Sequence, residues 1–533
     1  MSETIGSGTA AAPRKGLLLA FLCFGVFMVY LDATIVNVAL PDIQHELTAG
    51  ITQLQWIVDA YALAFACLLL TSGTLGDILG RKRLFLGGLL GFTLSSVMCA
   101  LAGSIGVLLV GRALQGICGS VMIPVSLALV SAAYTDPAAR AKAIGIWAGI
   151  GGVALSAGPV AGGVLVDHVG WQSIFWINVP IGVLAALALA RLLTENRSPR
   201  ARRPDLLGQA LFIVAIAALA YALIEGNSRG WASAVIVGSF ALSAVTLVAF
   251  VFWELRQPDP MLPLTLFRSP VVAVAGAVNF LSLFGLFAAI FLLTLVLQSL
   301  QGLSSVETGV RFLALTVPIM IASFAASVVA ARAGSRWPIV AGSVLSAAGL
   351  FGLTALDVDT GFGGYWWALA LLGVGVSFTG APATVALLGS VPPEQAGTAS
   401  GVSNTFRQVG AVFGVALAGA LLLRHLRDAL PGALSVAPLP QEVRVRAYEQ
   451  LSGGDLSRAG ALPPSVRRPV MDAVGPVFID GMHLVTEVAA AGTLVGGLCA
   501  LVLLRGRRGG AAPGPETEAH REAPEAAVGR RRA

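Results

Sequence analysis

The sequence predicts an all-α, polytopic membrane protein with fourteen spanning helices. Three observations carry this: few charged residues, apolar runs repeating along nearly the whole chain, and basic residues gathered in alternate gaps between the runs. Of 533 residues, 56% are hydrophobic and 12% charged, against roughly 25% charged in an average soluble domain. A soluble chain this long would divide into domains joined by polar linkers. Here the apolar runs continue from Gly16 almost to Leu504, and the solvent that suits them is lipid.

A helix needs roughly 20 apolar residues to cross the hydrocarbon core, because each backbone polar group must be satisfied within the segment. The runs place helices near 16–40, 52–72, 84–103, 106–131, 140–165, 171–193, 206–224, 231–253, 271–298, 307–330, 337–356, 364–390, 398–423 and 478–504. The first run follows Arg14 and Lys15, is too long for a signal peptide, and reaches Pro41 without a small-residue cleavage site, so it reads as a retained helix.

Cytoplasmic loops retain basic residues. Arg14 and Lys15, Arg81 to Arg83, Arg140 and Lys142, Arg191 to Arg203, Arg256 and Arg268, Arg332 and Arg336, and Arg505, Arg507 and Arg508 fall on one side, with Arg229 the main exception. Both termini are therefore expected in the cytoplasm. The stretch from Arg424 to Val477, rich in Pro, Gly and mixed charge, reads as a partly ordered external loop or as a lid. The Gly, Pro, Glu and Arg composition after Gly509 is that of a disordered tail.

Composition also excludes functions. A net charge of +6 suggests nucleic acid until the basic residues are located; they lie between apolar runs, so no nucleic-acid partner is expected. Cys23, Cys67, Cys99, Cys118 and Cys499 all lie inside apolar segments without metal-ligand or disulfide spacing, and no metal is expected. Lys15, Lys82 and Lys142 are the only lysines, and none is followed by Ser or Thr, so a phosphate loop is absent and with it direct ATP hydrolysis. His45, His168, His425, His483 and His520 are scattered rather than clustered with acids, which argues against a membrane enzyme. Heavy use of Ala, Gly and Arg beside so few lysines is that of a GC-rich bacterial coding sequence, which makes the expected site a bacterial plasma membrane.

An ionisable side chain at mid-membrane costs at least about 2.5–3.5 kcal/mol on insertion scales, so each one is a functional hypothesis. Asp32, Asp59 and Arg112 are the three. Asp32 sits in Leu31-Asp-Ala-Thr-Ile-Val-Asn-Val-Ala-Leu-Pro41, with Asn37 further along. Burial disfavours a charged carboxylate and a nearby cation favours it, so a buried Asp whose cation comes and goes can load and release a proton. A static pair of Asp32 with Arg112 is the structural alternative. Asp59 lies in Trp56-Ile-Val-Asp-Ala-Tyr61. It could hold a flat cation between two aromatics, carry a second proton, or lie solvated near the surface.

The run Gly73-Thr-Leu-Gly-Asp77-Ile-Leu-Gly80-Arg81-Lys-Arg83 forms a tight basic turn in which Asp77 and the basic triplet can pair with neighbours or helix ends. In Ala157-Gly158-Pro159-Val-Ala-Gly162-Gly163 the small residues permit close backbone approach and Pro gives a kink.

Taken together, these residues resemble the major facilitator superfamily, and within it the fourteen-helix drug:proton antiporter family. Leu31 to Pro41, Gly73 to Arg83, Arg112-Ala-Leu-Gln-Gly116 and Ala157 to Gly163 are similar to that family's motifs in one order. Trp171 to Pro180, Pro260 to Pro263 with Phe267-Arg268, and Gly397 to Gly401 with Arg407-Gln408 also look like it. The match runs from about residue 16 to 504. In the second half, Ala330-Ala-Arg-Ala-Gly-Ser-Arg336 stands where the basic turn would recur, without its acid.

The resemblance implies two six-helix bundles with two inserted helices: a cytoplasmic N-terminus (1–15), a first bundle (16–193), a linker with two inserted helices (194–254), a second bundle (255–504) carrying the external loop (424–477), and a cytoplasmic tail (505–533). It implies proton coupling at Asp32, Arg112 and Asp59, and a substrate cavity near Asn37, Trp56, Asp59, Tyr61 and Asn279. Gly73, Asp77, Gly80 and Arg81 would form a cytoplasmic gate, and Gly158, Pro159, Gly162 and Gly163 the helix 5 element typical of antiporters. The implied activity is export of small lipophilic drugs or antibiotics, some cationic, by a monomer with no cofactor. One proton crossing about 150 mV releases about 3.5 kcal/mol, enough for a few-hundred-fold gradient. Proton-coupled uptake and a non-transporting sensor of the same fold are the alternatives.

Overall fold

The computed structural model describes residues 11–195, 204–391, 395–454, 456 and 462–504. The expected tail at 505–533 lies outside them. Each apolar run folds as a helix: α1 (Ala11–Leu47), α2 (Ile51–Leu79), α3 (Arg81–Ala100), α4 (Ile105–Ala133), α5 (Pro137–Val169), α6 (Ser173–Trp176), α7 (Asn178–Leu192), α8 (Leu206–Arg229), α9 (Ala234–Glu254), α10 (Pro270–Leu295), α11 (Ser305–Ala333), α12 (Arg336–Gly352), α13 (Trp366–Gly389), α14 (Ala396–Val436), α15 (Gln441–Leu451) and α16 (Pro464–Leu503). Among the described residues fourteen helices are long and apolar enough to span a membrane, with α6 and α7 together making one crossing. The chain is a multi-pass membrane protein.

Packing repeats between the halves. Within the first, α1 packs on α5 and α7, α2 on α4, and α3 on α4 and α7. Within the second, α10 packs on α14 and α16, α11 on α13, and α12 on α13 and α16. The second list is the first transposed, which makes two six-helix bundles. Two seams join them, α5 against α11 and α2 against α14, and these exchange under the same transposition. The inserted pair α8 and α9 pack on each other, and α8 reaches α2 and α14. Small residues set the closest approaches: a Cβ on Gly349 of α12 would lie 2.6 Å from the Ala368 carbonyl oxygen of α13.

The largest departures from the expected boundaries lie around the external loop. The external loop expected at 424–477 is largely helical, since α14 continues to Val436 and the last spanning helix begins at Pro464. Leu426, Leu430 and Leu434 repeat every fourth residue and are all buried. Polar residues on the opposite face lower the average apolarity of this stretch without interrupting the helical stripe. Beyond α15, the Gly453 carbonyl accepts the Ile51 N–H at 3.4 Å, so the segment folds over the start of α2. Likewise α1 begins at Ala11 and ends at Leu47, past both limits of its apolar run.

Candidate functional site

Asp32 and Arg112 meet at the centre of the first bundle, 0% and 1% exposed. Arg112 Nη1 donates to Asp32 Oδ2 and, at 2.9 Å, to Gln115 Oε1. Asp32 Oδ1 accepts from Gln115 Nε2 at 3.2 Å and Asn178 Nδ2 at 3.3 Å. Arg112 Nε donates to the Ile57 carbonyl at 3.1 Å, and Ser96 Oγ accepts from Gln115 Nε2 at 2.8 Å. The guanidinium lies 4.4 Å from the centre of the Tyr61 ring. Both carboxylate oxygens are thus satisfied by α4 and α7, which a buried charge requires. Arg112 and Gln115, three residues apart on α4, share the face that meets α1. Neither Gln115 nor Asn178 had been singled out in the sequence, although both stand inside the runs quoted for the resemblance.

The three candidates on α2 separate. A helix turns 100° per residue, so Trp56, Asp59 and Tyr61 point to different neighbours. Trp56 Nε1 donates to Glu225 of α8 at 3.1 Å. The Tyr61 hydroxyl donates to the Val29 carbonyl of α1 at 3.0 Å, within the first bundle. Asp59 shares a stripe with Gln55, whose amide donates to the Val415 and Ala416 carbonyls of α14 at 2.9 and 2.8 Å, and with Leu70, which faces Gly401 of α14. The expected aromatic clamp around Asp59 is therefore not formed, and Trp56 and Tyr61 do not line a shared cavity. The solvated alternative also fails, for Asp59 is 0% exposed in the α2–α14 seam. Neither of its oxygens has a hydrogen-bond partner among the described residues. An unsatisfied buried polar group costs about 1–3 kcal/mol. Asp59→Leu is accordingly expected to raise the apparent Tm; a lower Tm would mean that the carboxyl holds the seam together.

Asn37 and Asn279 are 1% and 0% exposed. Asn37 spends its amide on the Ala33 and Thr34 carbonyls, both at 3.3 Å, and Asn279 donates to Ser403 Oγ at 3.1 Å. Each leaves its side-chain oxygen without a partner among the described residues, so each offers an acceptor.

The run Ala157 to Gly163 seats α5 between its own bundle and the other. A Cβ on Gly162 would lie 2.8 Å from Ile35 Cγ1 of α1, and one on Gly158 3.0 Å from Thr34 Cβ. A Cβ on Gly163 would lie 2.7 Å from the Val306 Cα of α11, and one on Gly309 of α11 would lie 2.8 Å from the carbonyl carbon of Pro159. Beside this contact the Asp167 carboxylate accepts the Ser305 and Val306 N–H groups, each at 3.0 Å, at the start of α11. Ser305 Oγ donates to Asp42 Oδ2 at 3.2 Å, and Gln298 Nε2 to the Val38 carbonyl at 2.9 Å. Sequence reasoning missed Asp42 and Asp167 because their partners are more than a hundred residues away. Hydrogen bonds to a charged group contribute about 1.5–3 kcal/mol each. Asp167→Asn is expected to weaken this latch and to speed labelling of a Val38→Cys reporter by a membrane-impermeant thiol reagent about tenfold. Unchanged labelling would deny the latch a role in closure.

The same α5 stripe parts from α11 toward the other end. Gly145, Gly149 and Gly152 continue the face of Ser156 and Gly163, and a Cβ on any of the three would meet nothing within 4 Å. At that basic end Asp77 accepts from Arg81 at 2.8 Å within its own turn and, among the described residues, from none in the opposite bundle. Gly80 has φ +100°, a conformation that favours glycine. Gly73 has open space around it. Lys82 Nζ donates to the Ala190 and Leu193 carbonyls at the end of α7, both at 2.7 Å, while Glu195 accepts the Lys82 N–H at 3.2 Å. In the second half Arg336 Nη2 donates to the Leu501 carbonyl at the end of α16 at 2.5 Å. The cation that ties each turn to the last helix of its bundle is therefore kept where the acid is not.

Residues 22–415 match the Major Facilitator Superfamily profile. The chain belongs to this superfamily. It is 36% identical over 508 residues to the tetracenomycin C resistance and export protein of Streptomyces glaucescens, covering 93% of this chain and 94% of that one. It is 37% identical over 478 residues to the multidrug resistance protein Stp of Mycobacterium tuberculosis, covering 88% of each. A methylenomycin A resistance protein of Bacillus subtilis is 36% identical over 416 residues, 76% of this chain and 87% of that one. Among solved folds, a bacterial homologue of the lysosomal transporter Spinster in an inward-facing, unoccupied conformation superposes with a TM-score of 0.64 at 15% identity, over 92% of this chain and 98% of that one. The nucleoside transporter NupG gives 0.59 at 10% identity, over 92% and 100%. This superfamily member is a transporter, not an enzyme.

Proposed function

We propose that the protein exports small lipophilic drugs or antibiotics from a bacterial cell in exchange for protons. The names of its relatives support drug export. The observation that carries proton exchange is the Asp32–Arg112 pair, an acid and a base buried inside one bundle and held by uncharged amides. A buried carboxylate that loses its counter-cation takes up a proton. Movement of α4 relative to α1 would therefore load Asp32, and restoration of the pair would expel the proton.

The basic loops support an orientation with both termini in the cytoplasm and the Asp167 latch outside. In that orientation the seam is closed outside and parted inside, so a compound enters from the cytoplasm or inner leaflet. Proton loading at Asp32 then accompanies release outside, and the gradient returns the carrier. The protein would work as a monomer and without a cofactor, its energy coming from the proton gradient.

Transport direction tests this reading. In inverted vesicles an inside-acid gradient should drive accumulation of a lipophilic antibiotic such as puromycin, and an uncoupler should abolish it. Accumulation in right-side-out vesicles alone would favour the uptake alternative.

A further inference from the structure

The inserted helices meet at one end through two acids that the export reading does not use. Asp205 caps the start of α8 and Glu254 ends α9. Asp205 Oδ1 accepts from the Gly208 N–H and from Trp253 Nε1, both at 2.8 Å. Glu254 Oε2 accepts the Leu262 N–H at 3.1 Å. The remaining oxygens, Asp205 Oδ2 and Glu254 Oε1, are buried and have no donor among the described residues. They converge on one point: a Cβ on Gly208 would stand 2.5 Å from the first and 2.8 Å from the second. Glycine at this position leaves the gap open, and the two side chains lie within hydrogen-bonding reach of each other across it.

No cation offsets the pair. Glu254 is 3% exposed, and neither acid belongs to an ion pair among the described residues. The charged residues that follow α9, Arg256, Asp259 and Arg268, are exposed, and the Arg256 guanidinium lies 5.6 Å from the centre of the Phe252 ring. From α2 this end of α8 meets uncharged groups. Thr71 donates to Gln209 Oε1 and lies 3.3 Å from Met261 Sδ, and Gln209 Nε2 donates to the Cys67 carbonyl at 2.7 Å.

Two adjacent carboxyls in a buried site do not both ionise. We infer that Asp205 and Glu254 share one proton and form a second proton-binding site, separate from Asp32, at the foot of the inserted helices. Asp205 stands at a helix N-terminus and accepts two N–H donors, and both favour its anion. The proton therefore rests on Glu254 Oε1 and is donated to Asp205 Oδ2, which satisfies both open oxygens. So held, the pair staples α8 to α9 and, through Leu262, to the stretch that leads into α10. In the proposed orientation this end faces the cytoplasm, and the site responds to cytoplasmic pH. When the proton leaves as pH rises, two buried anions repel and the staple loosens.

Infrared spectroscopy of the full-length protein in nanodiscs tests this, with Glu254→Gln and Asp205→Asn beside the wild type. In each variant the new amide can donate across the gap, and Asn still caps α8. Wild type at neutral pH should show a protonated-carboxyl stretch that disappears as the pH is raised. Either substitution alone should remove that one band, because Asp205→Asn leaves Glu254 ionised beside an amide. The pH-dependent part of the tryptophan emission, carried by Trp253 through its bond to Asp205, should be lost in both variants. A band lost in Glu254→Gln but kept in Asp205→Asn overturns the shared proton, and so does a carboxylate stretch lost from Glu254→Gln with the protonated one unchanged. A wild-type spectrum without any protonated carboxyl overturns it whether or not a variant folds. A Tm that sodium or calcium raises in wild type but in neither variant assigns the gap to a metal cation and overturns it too.

Discussion

Asp32→Asn is expected to lower proton-driven export at least about 100-fold while leaving the protein in the membrane. Asn keeps the shape of the side chain, and its one oxygen can still accept either from Arg112 or from Gln115 and Asn178, but it carries neither the charge nor the proton. Removing one charge of a buried pair strands the other, which costs about 3–5 kcal/mol, so stability should fall as well. The double variant Asp32→Asn with Arg112→Gln separates the two effects. It removes the stranded charge and should recover stability without recovering transport. If the pair only fixed the packing of α1 against α4, the double variant would recover both. Transport by purified protein in vesicles, read beside its Tm, decides between the outcomes.

The second large effect is expected at the seam between the bundles. In Gly163→Val the new Cβ would stand 2.7 Å from the Val306 Cα, against backbone that no rotamer change can clear. Overpacking typically costs about 1–3 kcal/mol, and here the closed end of the α5–α11 seam, the outer one in the proposed orientation, bears all of it. The account predicts a population shifted about tenfold or more toward the outward-open form. The Val38→Cys reporter should label rapidly and export should fall in proportion. Gly309→Val should behave alike, because its Cβ would meet Pro159 across the same contact. Gly152→Ala is the internal control. It lies on the same α5 stripe, but its Cβ would meet nothing within 4 Å, and it should transport normally.

The fold was legible in the sequence because a bilayer forces each crossing to be a long apolar helix, and the runs from Gly16 to Leu504 record this directly. The Asp32–Arg112 pair was legible for the same reason, since charge at mid-membrane is conspicuous. Orientation on a helix was not. Trp56 and Tyr61 stand close to Asp59 in sequence, yet one turns to Glu225 and the other to Val29. The extension of α14 to Val436 was hidden because averaged apolarity registers only the part in lipid, whereas Leu426, Leu430 and Leu434 continue the buried face beyond it. The latch of Asp167 on Ser305 depends on how two bundles dock, and no local pattern encodes that. Gln115 and Asn178 stood within the quoted runs, but as uncharged amides they give no sign in sequence that they hold Asp32.

The central claim is that drug leaves in exchange for a proton carried by Asp32. The most direct measurement is the pH inside acid-loaded inverted vesicles, followed with an entrapped dye as a transported antibiotic is added. The account predicts that wild type releases protons on addition of the drug and that Asp32→Asn, present in equal amount, does not. Drug accumulation by wild type without proton release, or proton release undiminished in Asp32→Asn, would contradict it.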